Sequence, residues 1–356
     1  MFLASPKPKD SQIKVAIGTI FYESGGVAKY ILGIKKYSSH SISTIPPGSL
    51  RPYIAKSARA IRLYRSWLEK AKLSRYDVVH SHADPWFINL CLSSRSNTCK
   101  WVHTYHALYL AEDGNPEGIR KWHEQINRSL LDVGRKADVK ISVAKWVHDY
   151  LLETHSIESE IVPNGVDLDY CDKAIPARFA RKYGVGNYVL FVGYLDAVKN
   201  PRLFVELAER IPETNFVMIG LHLDAAHLKG IYEKPLPKNL FLFPELTHIE
   251  ALDAISACKI FVMTSKLEGC PTVLMEAMGL KKPVVAPNHS GCKEVVHSNE
   301  YGLLYEPDSL TDLTEKTLQA LGSKNIGEKA RERVVKNYNL RDMVKRIDSI
   351  YECLVD

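Results

Sequence analysis

Short apolar runs alternate with longer stretches of helical period along the chain. Residues 13–20 (IKVAIGTI), 76–82 (YDVVHSH), 99–106 (CKWVHTYH) and 137–144 (ADVKISVA) form a first series with little polar alternation. Strands of that kind are buried on both faces. A second series occupies 187–195, 215–220, 240–245, 259–265, 282–288 and 302–307. Between its first two runs, NPRLFVELAERIP puts Leu203, Leu207, Ala208 and Ile211 on one helix face, with Pro201 in the first turn. Strands alternating with helices predict parallel sheets covered on both faces. The expected fold class is therefore α/β, with two Rossmann-like doubly wound domains facing a cleft. The stretch 163–186 (PNGVDLDYCDKAIPARFARKYGVG) is rich in Gly, Pro and Asp, has little periodicity and reads as the linker. Domains are expected over 1–170 and 171–337, with a helical segment closing the chain over 338–356.

A chain of 356 residues fits two domains. Its 46% apolar and 25% charged content is that of an ordinary soluble protein, and no run reaches the length of a spanning helix. The first residues, MFLASPKPKDSQIKV, lack the basic head and apolar core of a secretory signal, so a cytoplasmic location is expected. Seven cysteines, an odd number with no C-x-x-C pair, predict reduced thiols rather than a disulfide or zinc framework. The sequons at Asn127 and Asn288 carry little weight without a secretory route.

Net charge is +6, and it is uneven. Residues 51–75 hold eight basic side chains against one acid, Glu69. The segment has amphipathic character with Trp67 at the boundary of its faces, which suits either a solvated basic face or an anionic membrane surface. No nucleic-acid binding module accompanies the charge.

Ligands of doubly wound sheets bind outside the carboxyl ends of the strands. Ser24, Gly25 and Gly26 follow the first strand and open a helix. That turn suits either an anion or plain tight packing. His80, His82 and His106 sit at the ends of later strands, each as well suited to structure as to substrate. Lys199 precedes the helix opening at Asn200 and Pro201, where a lysine can neutralise phosphate charge. The stretch SKLEGCPTVLMEAMG carries Glu268 in a loop, a helix start near Pro271 and Thr272, and Glu276 in the second turn. This geometry fits a phosphate at the helix start and a ribose at Glu276, or else an ordinary packed helix. Asp167 and Asp169 mimic a metal-binding D-x-D pair but lie in the linker, and Cys270 has no nearby histidine to make it a nucleophile.

In combination these features resemble the retaining glycosyltransferases of family 4, which have the GT-B fold. The resemblance covers most of the chain and rests on VPNGVD (162–167), LFVGYLDAVKN (190–200), EGCPTVLMEAM (268–278), SGCKEVV (290–296) and YGLLYEP (301–307). It implies transfer of a sugar from a UDP- or GDP-sugar to an acceptor hydroxyl with retention, needing no metal and no cofactor beyond the nucleotide-sugar co-substrate. It makes the first domain the acceptor side and the second the donor side, with the closing helix crossing back to the first. Glu276 would hold the ribose and Glu268 the sugar. Lys199 and the amides of Thr272 and Val273 would hold the diphosphate, with Gly25 and Gly26 closing on it and His106 beside the transferred sugar. Where the family commonly has arginine this chain has Tyr194, and Arg202 is the candidate substitute. A glycan or lipid-linked glycan acceptor is implied, with 51–75 as the approach to a membrane. The competing readings are a sugar-nucleotide epimerase, a phosphorylase, and a non-catalytic nucleotide-sugar-binding homologue.

Overall fold

The computed structural model of the chain describes residues 12–18, 25–45, 73–110, 121–194, 196–220, 234–244, 246–323 and 325–356, with 228, 230 and 232 singly. The basic segment 51–75 lies almost wholly outside the described residues. No helix among the described residues is long and apolar enough to cross a membrane.

The chain divides into two compact units. The first takes residues up to Tyr109, Ile119–Pro163 and Arg341–Asp356, and the second takes Asn164–Leu340. The changeover lies at Pro163, a few residues before the boundary expected at 170.

Among the described residues six parallel strands build the first sheet: β1 (Lys14–Gly18), β2 (Ser41–Ile45), β3 (Val78–Ser81), β4 (Lys100–Tyr105), β5 (Val139–Ser142) and β6 (Glu160–Ile161). Their order is β2-β1-β3-β4-β5-β6. All four residues of β3 and the last five of β4 are buried, as the unbroken apolar runs require. The Leu340–Val355 helix packs in this unit through polar contacts of unusual reach. Asp348 accepts from Ser38 Oγ at 2.6 Å and from Ser39 N at 2.8 Å. Arg346 Nη2 donates to the Ile161 carbonyl at 2.7 Å.

The second sheet has β7 (Tyr188–Val192), β8 (Asn215–Ile219), β9 (Leu240–Phe243), β10 (Ile260–Val262), β11 (Val284–Pro287) and β12 (Leu303–Tyr305), in the order β12-β11-β10-β7-β8-β9. Its core joins Phe191, Phe204, Phe216 and Tyr305 with the apolar face of the Pro201–Arg210 helix. Fully burying each such side chain contributes about 1.5–3 kcal/mol. Both sheets are parallel and flanked by helices, the α/β architecture that the sequence predicts.

The structure differs from expectation in three respects. Strands are shorter than the apolar runs, as where 259–265 gives only β10 (Ile260–Val262) and its last residues continue into the loop that leaves the sheet. Two strands went unpredicted: β2 carries Ser41, Ser43 and Thr44 and buries only Ile45, and β6 has two residues. The stretch 163–186 is no bare linker. It holds the Leu168–Cys171 turn and the Pro176–Tyr183 helix, which buries Phe179 and docks through Arg178. Arg178 pairs with the buried Asp253, its Nη2 donating to Oδ1 at 2.8 Å. Pro176 at the first helical position and Gly184 at φ 69° after the last were the legible start and stop signals. Asp167 is the N-cap of the short turn, accepting from Tyr170 N at 3.1 Å.

Candidate active site

The strand order of the second sheet reverses between β7 and β10, so the carboxyl ends of those two strands mark its topological switch point. After β7 come Gly193, Tyr194 and the single turn Ala197–Lys199. Asp196 caps that turn, accepting from Lys199 N at 2.8 Å. Two bonds tie the turn to the loop after β10. Thr264 Oγ1 donates to the Lys199 carbonyl at 2.8 Å, and Lys266 N donates to the Val198 carbonyl at 2.7 Å. Lys199 and Glu268 are thereby brought together, Nζ to Oε1 at 2.5 Å, with side chains only 25% and 12% exposed. Burial opposes the Lys199 charge, but the Glu268 and Asp196 carboxylates outweigh it and raise the ammonium pKa above that of an ordinary lysine.

The Ser290–Val296 helix fixes the Glu268 turn from its other side. Gly291 N donates to the Glu268 carbonyl at 3.0 Å, and Glu268 N donates to Ser290 Oγ at 3.3 Å. A Cβ on Gly291 would fall 2.0 Å from the Gly269 carbonyl oxygen, so only glycine permits this approach. Ser290 holds φ at 46° there, and His289 Nδ1 lies 2.8 Å from its hydroxyl. Asn164 ties the same loop to the start of the unit, its Nδ2 donating to the Cys270 carbonyl at 2.8 Å.

The helix after Glu268 runs over Thr272–Gly279, with Pro271 as its N-cap rather than its first helical residue. No side chain caps it, and its first turn holds no acid. Its first amides, those of Thr272 and Val273 among them, have no intrahelical acceptor. Cys270 is buried, and burial pushes its thiol up to about 12, the state of a packing residue and not of a nucleophile.

Glu276 lies in the second turn among Leu274, Met275, Ala277 and Met278, and is 4% exposed. A carboxylate so placed needs a donor, and His248 supplies one, Nε2 to Oε1 at 2.7 Å. His248 opens the His248–Ala257 helix, whose N-cap Thr247 forms a reciprocal capping box with Glu250. The His248 ring also packs at 5.1 Å from the ring of Tyr170. The sequence reading missed His248. The T-x-x-E pattern at 247–250 fixed it at a helix start, but nothing local pointed to Glu276.

Arg202 is not brought to the Lys199–Glu268 pair. It is 55% exposed, and its Nε donates to Glu206 one turn along its own helix at 2.9 Å. Tyr194 is half-buried after Gly193.

In the first unit Gly25 caps the Gly26–Tyr37 helix without a side-chain bond, and the helix has no acid in its first turn. His106 follows β4 directly, and the histidines flagged by the sequence form one cluster. His82 Nδ1 lies 3.0 Å from His106 Nε2. His80 lies 2.6 Å from the Tyr351 hydroxyl and 2.7 Å from that of Thr104. His103 Nδ1 lies 2.7 Å from Ser81 Oγ. The Tyr30 ring meets those of His82 and His106 edge-on at 5.5 and 5.0 Å. Burial, reinforced by neighbouring imidazoles, holds His80 and His82 well below the ordinary histidine pKa. It lowers His103 and His106 to about 3.

Two family models match the chain. Residues 25–170 match "Glycosyltransferase Family 4" and residues 177–342 match "Glycosyl transferases group 1". An Escherichia coli UDP-Gal:alpha-D-GlcNAc-diphosphoundecaprenol alpha-1,3-galactosyltransferase is 26% identical, over 86% of this chain and 82% of its own length. An uncharacterized glycosyltransferase of Methanocaldococcus jannaschii is 28% identical, over 62% of this chain and 61% of its own length. Among solved structures, Anabaena HepE in complex with UDP and glucose shares the fold, with a TM-score of 0.71 at 15% identity over 96% of this chain and all of its own.

Proposed function

The chain belongs to the family 4 glycosyltransferases, and from that premise we propose that it transfers a sugar from a nucleotide diphosphate sugar to an acceptor hydroxyl, with retention and without metal. The observation that carries this reading is the Lys199–Glu268 pair at the switch point, four residues before an uncapped helix start with Glu276 behind it. The diphosphate is assigned to the amides of Thr272 and Val273 and to Lys199. An ammonium has three donors, so the bond to Glu268 leaves Lys199 two for phosphate oxygens. Glu268 is assigned to sugar hydroxyls, and Glu276, oriented by His248, to the ribose hydroxyls. To join this grip Arg202 has to give up Glu206. Gly25 and Gly26 are assigned to phosphate and His106 to a substrate oxygen.

In the proposed step the bond between the anomeric carbon and the leaving phosphate oxygen breaks. The acceptor oxygen bonds to that carbon on the same face, and its proton passes to the leaving phosphate. The charge that grows on the phosphate is met by Lys199 and the helix amides, which removes the need for a metal. Uridine is the first base to test, because the E. coli relative uses UDP-Gal and the HepE structure holds UDP. A lipid-linked glycan is the proposed acceptor class, following the same relative, and the proposed location is the cytoplasmic side of a membrane through 51–75.

The test is a panel of UDP- and GDP-sugars, read by calorimetry and by nucleotide release with and without acceptor lipids. Lys199→Ala and Glu268→Ala are each expected to lower turnover by about 10²–10³-fold. If no nucleotide binds, or if both variants turn over like the parent chain, the reading is wrong. Flotation with anionic liposomes tests the membrane part, and absence of binding at low salt ends it.

A further inference from the structure

His82 is 1% exposed, and its two ring nitrogens have different surroundings. Nδ1 faces His106 Nε2 at 3.0 Å. Nε2 is buried and has no hydrogen-bond partner among the described residues. A neutral imidazole carries one proton, and His82 is neutral here because burial and the neighbouring His80, His103 and His106 oppose a second. The proton has two places to go. On Nε2 it would be a buried N–H with no acceptor, the costlier form of orphan. On Nδ1 it completes a hydrogen bond to His106, and the orphan at Nε2 is then only a lone pair.

The choice propagates. If His82 Nδ1 donates, His106 Nε2 must accept, and the single proton of neutral His106 must sit on its own Nδ1. His106 is only part-buried, and its Nδ1 has no partner among the described residues. Tyr30 packs against the arrangement from the side, its ring edge-on to both imidazoles.

We propose that His82 is a positioning residue that fixes the tautomer of His106, so that His106 presents Nδ1–H as a hydrogen-bond donor to a substrate oxygen. The assignment of His106 to substrate rests on the function proposed above, but the tautomer does not. A donor there selects substrates that offer a hydroxyl or carbonyl oxygen, and it rejects those with only a donor at that point.

Long-range proton–nitrogen spectra of the chain labelled with nitrogen-15 histidine measure the tautomer directly, with the His106 signals identified by their loss in His106→Gln. The expected result is His106 protonated on Nδ1 and not on Nε2 from pH 6 to 8; an Nε2-protonated or doubly protonated ring overturns the proposal. His82→Asn and His82→Leu extend the test, since the asparagine amide can donate where His82 Nδ1 does. Nucleotide release is followed for whichever of UDP-galactose, UDP-glucose, UDP-N-acetylglucosamine and GDP-mannose the parent chain turns over. His82→Asn is expected to keep most of kcat/KM and the Nδ1 tautomer, and His82→Leu to lose about tenfold in kcat/KM and to mix the tautomers. Equal kinetics and spectra in the two variants overturn the proposal. If no donor is turned over, the proposed function fails while the spectra still decide the tautomer.

Discussion

His248 Nε2 sits 2.7 Å from Glu276 Oε1, and this bond orients the one carboxylate buried in the Thr272–Gly279 helix. The two residues are 28 positions apart and on different helices. A carboxylate held this way has a defined lone-pair geometry, which is what the proposed contact to ribose hydroxyls requires. Replacing His248 with alanine is expected to weaken UDP binding by about 3–10-fold through a misoriented Glu276. Replacing it with glutamine, whose amide nitrogen can occupy the place of Nε2, is expected to recover most of that loss. Isothermal calorimetry with UDP measures both; alanine and glutamine variants that bind alike remove His248 from the grip.

Tyr194 is the second place to test the grip. It stands where the family commonly has arginine, and Arg202, the candidate substitute, is engaged by Glu206 at 2.9 Å. The proposed diphosphate site thus has one committed cation, Lys199, already shared with Glu268. Tyr194→Arg is expected to tighten UDP binding by about tenfold, the effect of one added charge-assisted hydrogen bond. The gain should shrink as salt rises. Calorimetry at two ionic strengths reads both effects, and unchanged or weaker binding shows that the site compensates for tyrosine by other means.

Much of this architecture was legible because its physical signals are local. Val78 and Val79, or Tyr188 to Phe191, read as strands buried on both faces because every residue is apolar. Glu268 and Glu276 were legible because a turn and a helix start stand between them. β2 was hidden because Ser41, Ser43 and Thr44 give a strand on the edge of a sheet no apolar signature. The Pro176–Tyr183 helix has local start and stop signals, but its docking was hidden because it comes from Phe179 and from the Arg178–Asp253 pair, and the acid lies 75 residues away. His248 and Gly291 were hidden for the same reason. Each acts through a partner that only the folded chain brings near.

The buried histidines make stability depend on pH. His103 and His106 have folded pKa values of about 3, and His80 and His82 are lowered in the same direction. The unfolded chain takes up these protons near the ordinary histidine pKa of about 6.5. Below that pH the unfolded state binds more protons than the native state, so stability falls. The contribution is complete above about pH 6.5 and is lost progressively as pH drops toward 3, at about 1.4 kcal/mol per pH unit for each neutral histidine. Tyr30 and Tyr351, whose hydroxyl pKa values are raised by burial, stay neutral over this range. Denaturant unfolding between pH 5 and 7 checks the slope. His103→Asn should flatten it below about pH 6.5, approaching about 1.4 kcal/mol per pH unit toward pH 5; an unchanged slope means that His103 is not held neutral.

Gly291 offers the sharpest separation of shape from charge at the site. Its amide donates to the Glu268 carbonyl at 3.0 Å, and the space its missing side chain leaves is filled by Gly269. A methyl group there would lie 2.0 Å from the Gly269 oxygen and 2.9 Å from that of Glu268, so the turn has to move. Lys199 and Asp196 belong to the facing turn and keep their places, so a displaced Glu268 parts from Lys199. Gly291→Ala is expected to cost about 1–3 kcal/mol of stability, as overpacking commonly does. Nucleotide release should fall by at least about 10²-fold, because a misplacement on the order of 1 Å is enough for that. UDP binding, assigned above to the helix amides, Lys199 and Glu276, should fall far less. Thermal unfolding, calorimetry and turnover of one purified variant measure the three quantities together. A variant that loses UDP affinity in proportion to turnover shows that the Glu268 turn holds the nucleotide itself and not the sugar.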